Sequence, residues 1–194
     1  NNVQTLRELP KTSPFKWNGK NVSVYMQDGM RFSKFVTRTE SYSPVELTNL
    51  TTYILTQLKH PPNRFRLPNG ELTEAQKRGR EIFYRARTNS GEPIPIANQC
   101  VTCHPPPNFT NRTNADVGTA KVHDALGMTF DSPNLNNIYE SAPYLHDGSA
   151  QTLEELWTVY NDHDEHGVAN DMTKNQLNDL IEYLKSLESA SNYK

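Results

Sequence analysis

Cys100-Val101-Thr102-Cys103-His104 is the stretch that decides the fold. Two thiols two residues apart, followed by an imidazole, form the C-x-x-C-H sequence to which a c-type haem is attached. Each sulfur makes a thioether to the porphyrin, and the adjacent His is presented to the iron. A zinc site would need two further ligands, usually Cys or a spaced His pair, and the chain has 2 cysteines in all. A thioredoxin-like dithiol would open a helix behind an apolar strand. Here Ile94-Pro95-Ile96-Ala97-Asn98-Gln99 precedes the motif and Pro105-Pro106-Pro107 follows it, a context that does not suit a dithiol helix. Cys100, Cys103 and His104 are therefore read as the attachment site of one haem c, with His104 as the proximal iron ligand.

Working outward, the chain has 194 residues, enough for one or two compact domains, with 35% hydrophobic residues and a mean hydropathy of −0.78. So little apolar side chain suits a fold in which a buried prosthetic group supplies part of the core. A net charge of −2 gives no basic stripe for nucleic acid and no acidic tail. No run of about eighteen apolar residues is present to span a membrane. Asn1-Asn2-Val3 shows no charged and apolar leader, so the sequence is expected to be a mature chain or a piece of a longer one. Covalent haem attachment takes place outside the cytoplasm, and a periplasmic or extracellular location is expected.

Capping-box patterns mark four helix starts: Ser43-Pro44-Val45-Glu46, Thr73-Glu74-Ala75-Gln76, Thr152-Leu153-Glu154-Glu155 and Thr173-Lys174-Asn175-Gln176. Helical apolar spacing follows each one. The first helix is expected to bury Leu47, Leu50, Ile54 and Leu58, and the second Ile82 and Phe83. The third presents Leu153, Leu156, Trp157 and Tyr160, and the fourth Leu177, Leu180, Ile181, Leu184 and Leu187. Loops rich in Pro, Asn and Gly join them, with little strand alternation. The class is mainly α, as a cytochrome c-type helical haem domain. In such a domain two helices cross near the haem. Gly79, inside the second helix at a cost of about 1 kcal/mol relative to Ala, is the candidate for that crossing. Phe83, one turn on, is then expected to wedge against Leu180, Tyr183 or Leu184 beside the cofactor.

Two segments repeat. Leu6-Arg7-Glu8-Leu9 through Ser13-Pro14-Phe15-Lys16-Trp17-Asn18-Gly19 overlays without gaps on Leu135-Asn136-Asn137-Ile138 through Ala142-Pro143-Tyr144-Leu145-His146-Asp147-Gly148. A helix with a Tyr, Tyr53 or Tyr183, follows each copy. Residues 1–70 are accordingly expected to be a partial, haemless cytochrome c-like module, and residues 71–194 the haem domain. Trp17 stands in the first copy where the second has His146, and is read as a core plug.

Residues 72–187 resemble the C-terminal haem domain of bacterial dihaem cytochrome c peroxidases and their tryptophylquinone-forming relatives. The resemblance is carried by Leu72 to Phe83, by Cys100 to His104, by Ser132-Pro133-Asn134-Leu135-Asn136-Asn137-Ile138 and by Ala142 to Gly148, in that family's order. It implies two packed cytochrome c domains, with a C-terminal haem that takes electrons from a donor and relays them. It implies that His146 lies near the haem without ligating it, and that Tyr160 falls where the family places a distal Met or, in the quinone-forming members, a Tyr. It also implies a possible Ca²⁺ held partly by main-chain carbonyls beside the turn, at Ser141 and Pro143.

The sixth iron position decides between a cytochrome and an enzyme, because a strong ligand there blocks peroxide. Asn161-Asp162-His163-Asp164-Glu165-His166-Gly167-Val168 departs from the peroxidase pattern by adding two histidines after the third helix. A flexible loop here could fold one imidazole over the iron, giving bis-His ligation. His166 is the preferred ligand, Tyr160 the next, and Met172, Met128 and His163 remain. Asp116, Asp124 and Asp131 read as solvated loop. Three functions follow: an electron relay to a redox partner protein or neighbouring haem subunit, part of a peroxidase or oxidase, or a docking subunit of a multihaem complex.

Overall fold

A computed structural model describes residues 3–10, 12–29, 31–37, 40–122, 124 and 127–188. In chain order its elements are α1 (Val24–Asp28), a π-helical stretch (Arg31–Thr37), α2 (Pro44–Gln57), α3 (Glu74–Phe83), α4 (Cys100–Cys103), the strands β1 (Asn114–Ala115) and β2 (Phe130–Asp131), α5 (Glu155–Thr158) and α6 (Lys174–Lys185). The two strands pair antiparallel, Asn114 with Asp131 and Ala115 with Phe130. Helix predominates.

The capping boxes at Ser43, Thr73 and Thr173 are all formed, each hydroxyl taking the amide three residues on while that residue's side chain returns to the cap amide. The fourth is split. Thr152 Oγ1 accepts the Glu155 amide at 3.3 Å, but the Glu155 carboxylate goes to the Gln151 amide at 2.6 Å, and the helix runs for only 4 residues.

The core lies where α3 crosses α6. A Cβ on Gly79 would stand 1.9 Å from the Asp179 carbonyl oxygen and 2.8 Å from Tyr183 Cβ, so no other residue permits this approach. Phe83 sits edge-on to Tyr183 at 5.5 Å and to Phe109 at 6.0 Å, within a cluster that holds Leu153, Leu156, Leu180, Ile181, Leu184 and Leu187. The end of α6 is capped from the connecting segment. Asn63 Nδ2 donates to the Lys185 and Leu187 carbonyls, and Arg66 Nε to that of Ser186, pairing carbonyls that the helix leaves open.

The repeated segments share a backbone. Phe15 bridges Asn21 as Tyr144 bridges Ala150, and Lys16 and Leu145 both take left-handed φ, at 69° and 68°. Gly19 and Gly148 close the two turns onto the Lys16 and Leu145 carbonyls, at 3.0 and 3.2 Å. Glu8 and Asn137 are left-handed too, at φ 52° and 53°, and their amides reach the ends of the following helices, at the Leu58 and Leu187 carbonyls.

Candidate haem site

The short helix α4 sets both thiols and His104 into the wall of one large cavity of about 610 Å³. Phe83, Pro133, Leu135, Leu153, Leu156, Leu180 and Leu184 supply much of its apolar lining. Burial pushes the Cys100 thiol up to about 11, and raises Cys103 as well, so both sulfurs are neutral in the folded chain.

His104 is buried, with Nδ1 2.9 Å from the Phe109 carbonyl oxygen. A carbonyl only accepts, so Nδ1 donates here, and the Pro133 carbonyl is a second acceptor beside the ring. Burial lowers the basicity of this imidazole, which keeps it neutral.

Of the proposed sixth ligands, His166 lines the same cavity. Its Nδ1 is shielded from solvent and has no hydrogen-bond partner. Burial, and secondarily the nearby His104, pushes it down to about 4, which again leaves a neutral imidazole. Tyr160, Met172, Met128 and His163 are not in the cavity wall. Tyr160 donates its hydroxyl to the Ser149 carbonyl at 3.0 Å, Met172 packs against the core beside α6, and Met128 and His163 are exposed.

His146 also lines the cavity, buried and stacked on Phe130 at 4.0 Å, with Nε2 donating to Asp124. Its Nδ1 is without a partner. Of the three acids read as solvated loop, Asp116 is exposed, but Asp124 is taken up by His146 and Asp131 is buried in β2 with Oδ1 unpaired. The alternation of Phe130 and Asp131 gave no warning of this, because burial there comes from a distant segment. The Asp131 amide donates to the Trp17 carbonyl at 2.8 Å, and Trp17 forms part of the same cavity wall. Ser141 and Pro143 line it as well, and no cluster of three or more His, Cys, Asp or Glu poised for a metal ion exists among the described residues.

An apolar cavity walled by two cysteines and by two imidazoles, one of them with an unpartnered nitrogen, fits a covalently bound haem.

No protein-family model matches the chain. It is 33% identical to hydrazine synthase subunit gamma of Kuenenia stuttgartiensis, over 79% of this chain and 52% of that protein. It is 28% identical to the methylamine utilization protein MauG of Methylophilus methylotrophus, over 62% of this chain and 38% of that protein. The chain thus spans about half the length of the first curated relative and less of the second. A solved structure of K. stuttgartiensis hydrazine synthase superposes with a TM-score of 0.81 at 29% identity, covering 96% of this chain and 72% of the other. Motif order, cavity and these likenesses agree: the chain belongs to the family of MauG proteins and dihaem cytochrome c peroxidases.

Proposed function

We propose that the chain carries one haem c on Cys100, Cys103 and His104, ligated on its other face by His166, and serves as an electron relay. The observation that carries this reading is the pair of neutral imidazoles, His104 and His166, in one apolar cavity. Bound there, a haem supplies a one-electron Fe(III)/Fe(II) couple. The two cysteines would fix it covalently, and His104, held through Nδ1 by the Phe109 carbonyl, would ligate the iron. Phe83, Leu156 and Leu180 exclude water from it. As a second iron ligand, His166 would hold the position that peroxide needs, which would favour outer-sphere transfer over peroxidase chemistry.

Residues 1–70 are, in the same reading, a haemless cytochrome c-like module. It closes part of the cavity, with Phe15, Lys16 and Trp17 in the wall. The electron partner is a redox protein or a neighbouring haem subunit, in keeping with a relative whose name marks it as a subunit. The location is periplasmic or extracellular. Among the described residues no helix is long and apolar enough to cross a membrane.

The test is the spectrum of the haem-loaded protein. A low-spin ferric haem that ignores peroxide is expected, turning high-spin and open to peroxide in His166→Ala. An unchanged low-spin spectrum in His166→Ala overturns the ligand, and a high-spin, peroxide-reactive parent protein overturns the relay in favour of a peroxidase.

A further inference from the structure

The segment that presents His166 is a closed polar cage. Asn161, 1% exposed, accepts the His166 amide on Oδ1 at 2.6 Å and donates from Nδ2 to the Gly167 carbonyl at 2.9 Å. One side chain thus holds the peptide groups on either side of His166 and its neighbour. Of the remaining anchors, all but Trp157 grip the segment elsewhere. Asn98 donates to the Asp164 carbonyl at 3.0 Å, and its own carbonyl accepts the Val168 amide at 3.2 Å. Arg85 reaches the Val168 carbonyl at 2.9 Å and pairs with Asp171. Asp164, left-handed at φ 57°, takes the Ala169 and Asn170 amides on Oδ1. Trp157 donates its indole N–H to the His166 carbonyl at 3.3 Å.

These contacts differ in what they restrain. Asn98, Arg85 and Asp164 fix the path of the loop and leave His166 itself free to rotate with its peptide. Asn161 restrains that peptide directly, in a site water does not reach, where an unpaired N–H or carbonyl is costly. Moving the His166 backbone out of the cavity wall requires both bonds to break.

We propose that Asn161 is the positioning residue that keeps His166 on the sixth position, and so sets how readily an external ligand reaches the iron. The inference rests on reading His166 as the ligand. A held imidazole opens rarely, and competing ligands bind only in the open fraction. Loss of the two bonds raises that fraction about tenfold or more.

The experiment measures carbon monoxide binding to the ferrous haem-loaded protein, with the ferric spin state and the thermal midpoint recorded alongside. Asn161→Ala is expected to stay largely low-spin and to bind carbon monoxide about tenfold faster than the parent. Asn161→Asp retains an acceptor for the His166 amide and loses the donor to Gly167, so it falls between them, and it serves if the alanine variant does not fold. Asn98→Ala is the comparator: it anchors the same loop but touches neither peptide group of His166. Parental rates in both Asn161 variants overturn the proposal, and so does an equal rise in Asn98→Ala, which marks general loosening of the loop. His166→Ala separates the two readings. A low-spin spectrum there removes the ligand assignment itself, whereas a high-spin His166→Ala beside parental Asn161 variants removes only the role of Asn161.

Discussion

The turn at residues 13–19 and the turn at residues 142–148 share their backbone and differ in what is docked on them. Both carry a bridge between their flanks, a left-handed residue in the middle and a closing glycine. Both lean on the strand pair β1–β2. The first gives the Trp17 carbonyl to the Asp131 amide, and the second stacks His146 on Phe130. The helix that comes later after the second copy, α6, is however crossed by α3 at Gly79, and α3 leads to the haem motif. Local sequence suffices to reproduce the turn, and the chemistry depends on the neighbour. The helices that follow show the same contrast: α2 and α6 begin with the same capping box, yet Tyr53 on α2 is 56% exposed and Tyr183 on α6 is 4% exposed.

The largest expected effect breaks that helix comparison in half. Tyr183→Ala removes a ring packed edge-on against Phe83 and is expected to cost about 3 kcal/mol or more, as large aromatic deletions in a core do. Tyr53→Ala is expected to change stability by less than about 0.5 kcal/mol. Urea midpoints of the two variants decide it. A comparable loss at Tyr53 would mean that α2 is covered in the working protein by a surface not present in these residues.

The second effect tests the strand where the two turns meet. Burial pushes Asp131 up to about 6, above the unfolded carboxylate range, so the folded protein binds the extra proton as pH falls through the window from about 6 to 4. Its carboxylate therefore costs stability fully above pH 6 and not at all below pH 4. Asp131→Asn is expected to be stabilising by about 1–2 kcal/mol at pH 7, with the gain gone at pH 4. Denaturation midpoints at the two pH values measure it. A gain independent of pH would show that shape rather than charge is at fault.

The third is smaller and should be the same in both copies. Ser43→Ala and Thr173→Ala each remove an N-cap, and each is expected to cost about 1 kcal/mol. A marked difference in thermal midpoints would show that α2 does not hold its first turn as α6 does.

These caps were legible in the sequence because a capping box is complete within four residues. Gly79 was legible for a related reason, since a glycine inside an otherwise good helix needs a close neighbour to explain it. The box at Thr152 split because Gln151, outside the four-residue pattern, competed for Glu155. At the site, the residues proposed to attach haem are contiguous, so their reading rests on sequence alone. The loop at 161–168 read as flexible because Asn161, Asp164, Asn98 and Arg85 close it through contacts that no spacing rule records. The same holds for Asp131, which was read as solvated. It is covered by a turn more than a hundred positions away, and single-residue patterns carry no trace of such a meeting.

The smallest effect sharpens the comparison at the start of each repeat. Glu8 and Asn137 hold the same left-handed conformation and send their amides to equivalent helix ends. Asparagine is several-fold enriched at such a φ and glutamate is not. Glu8 also keeps Oε1 buried without a partner, a second cost that Asn137→Glu would import into the other copy. Glu8→Asn is therefore expected to raise stability by about 0.5–1 kcal/mol, read from the urea midpoint with an unchanged slope. A loss instead would show that the Glu8 carboxylate is bound in the working protein. Because Glu8 lines the same cavity as His104 and His166, that binding would place a polar partner in the cavity wall.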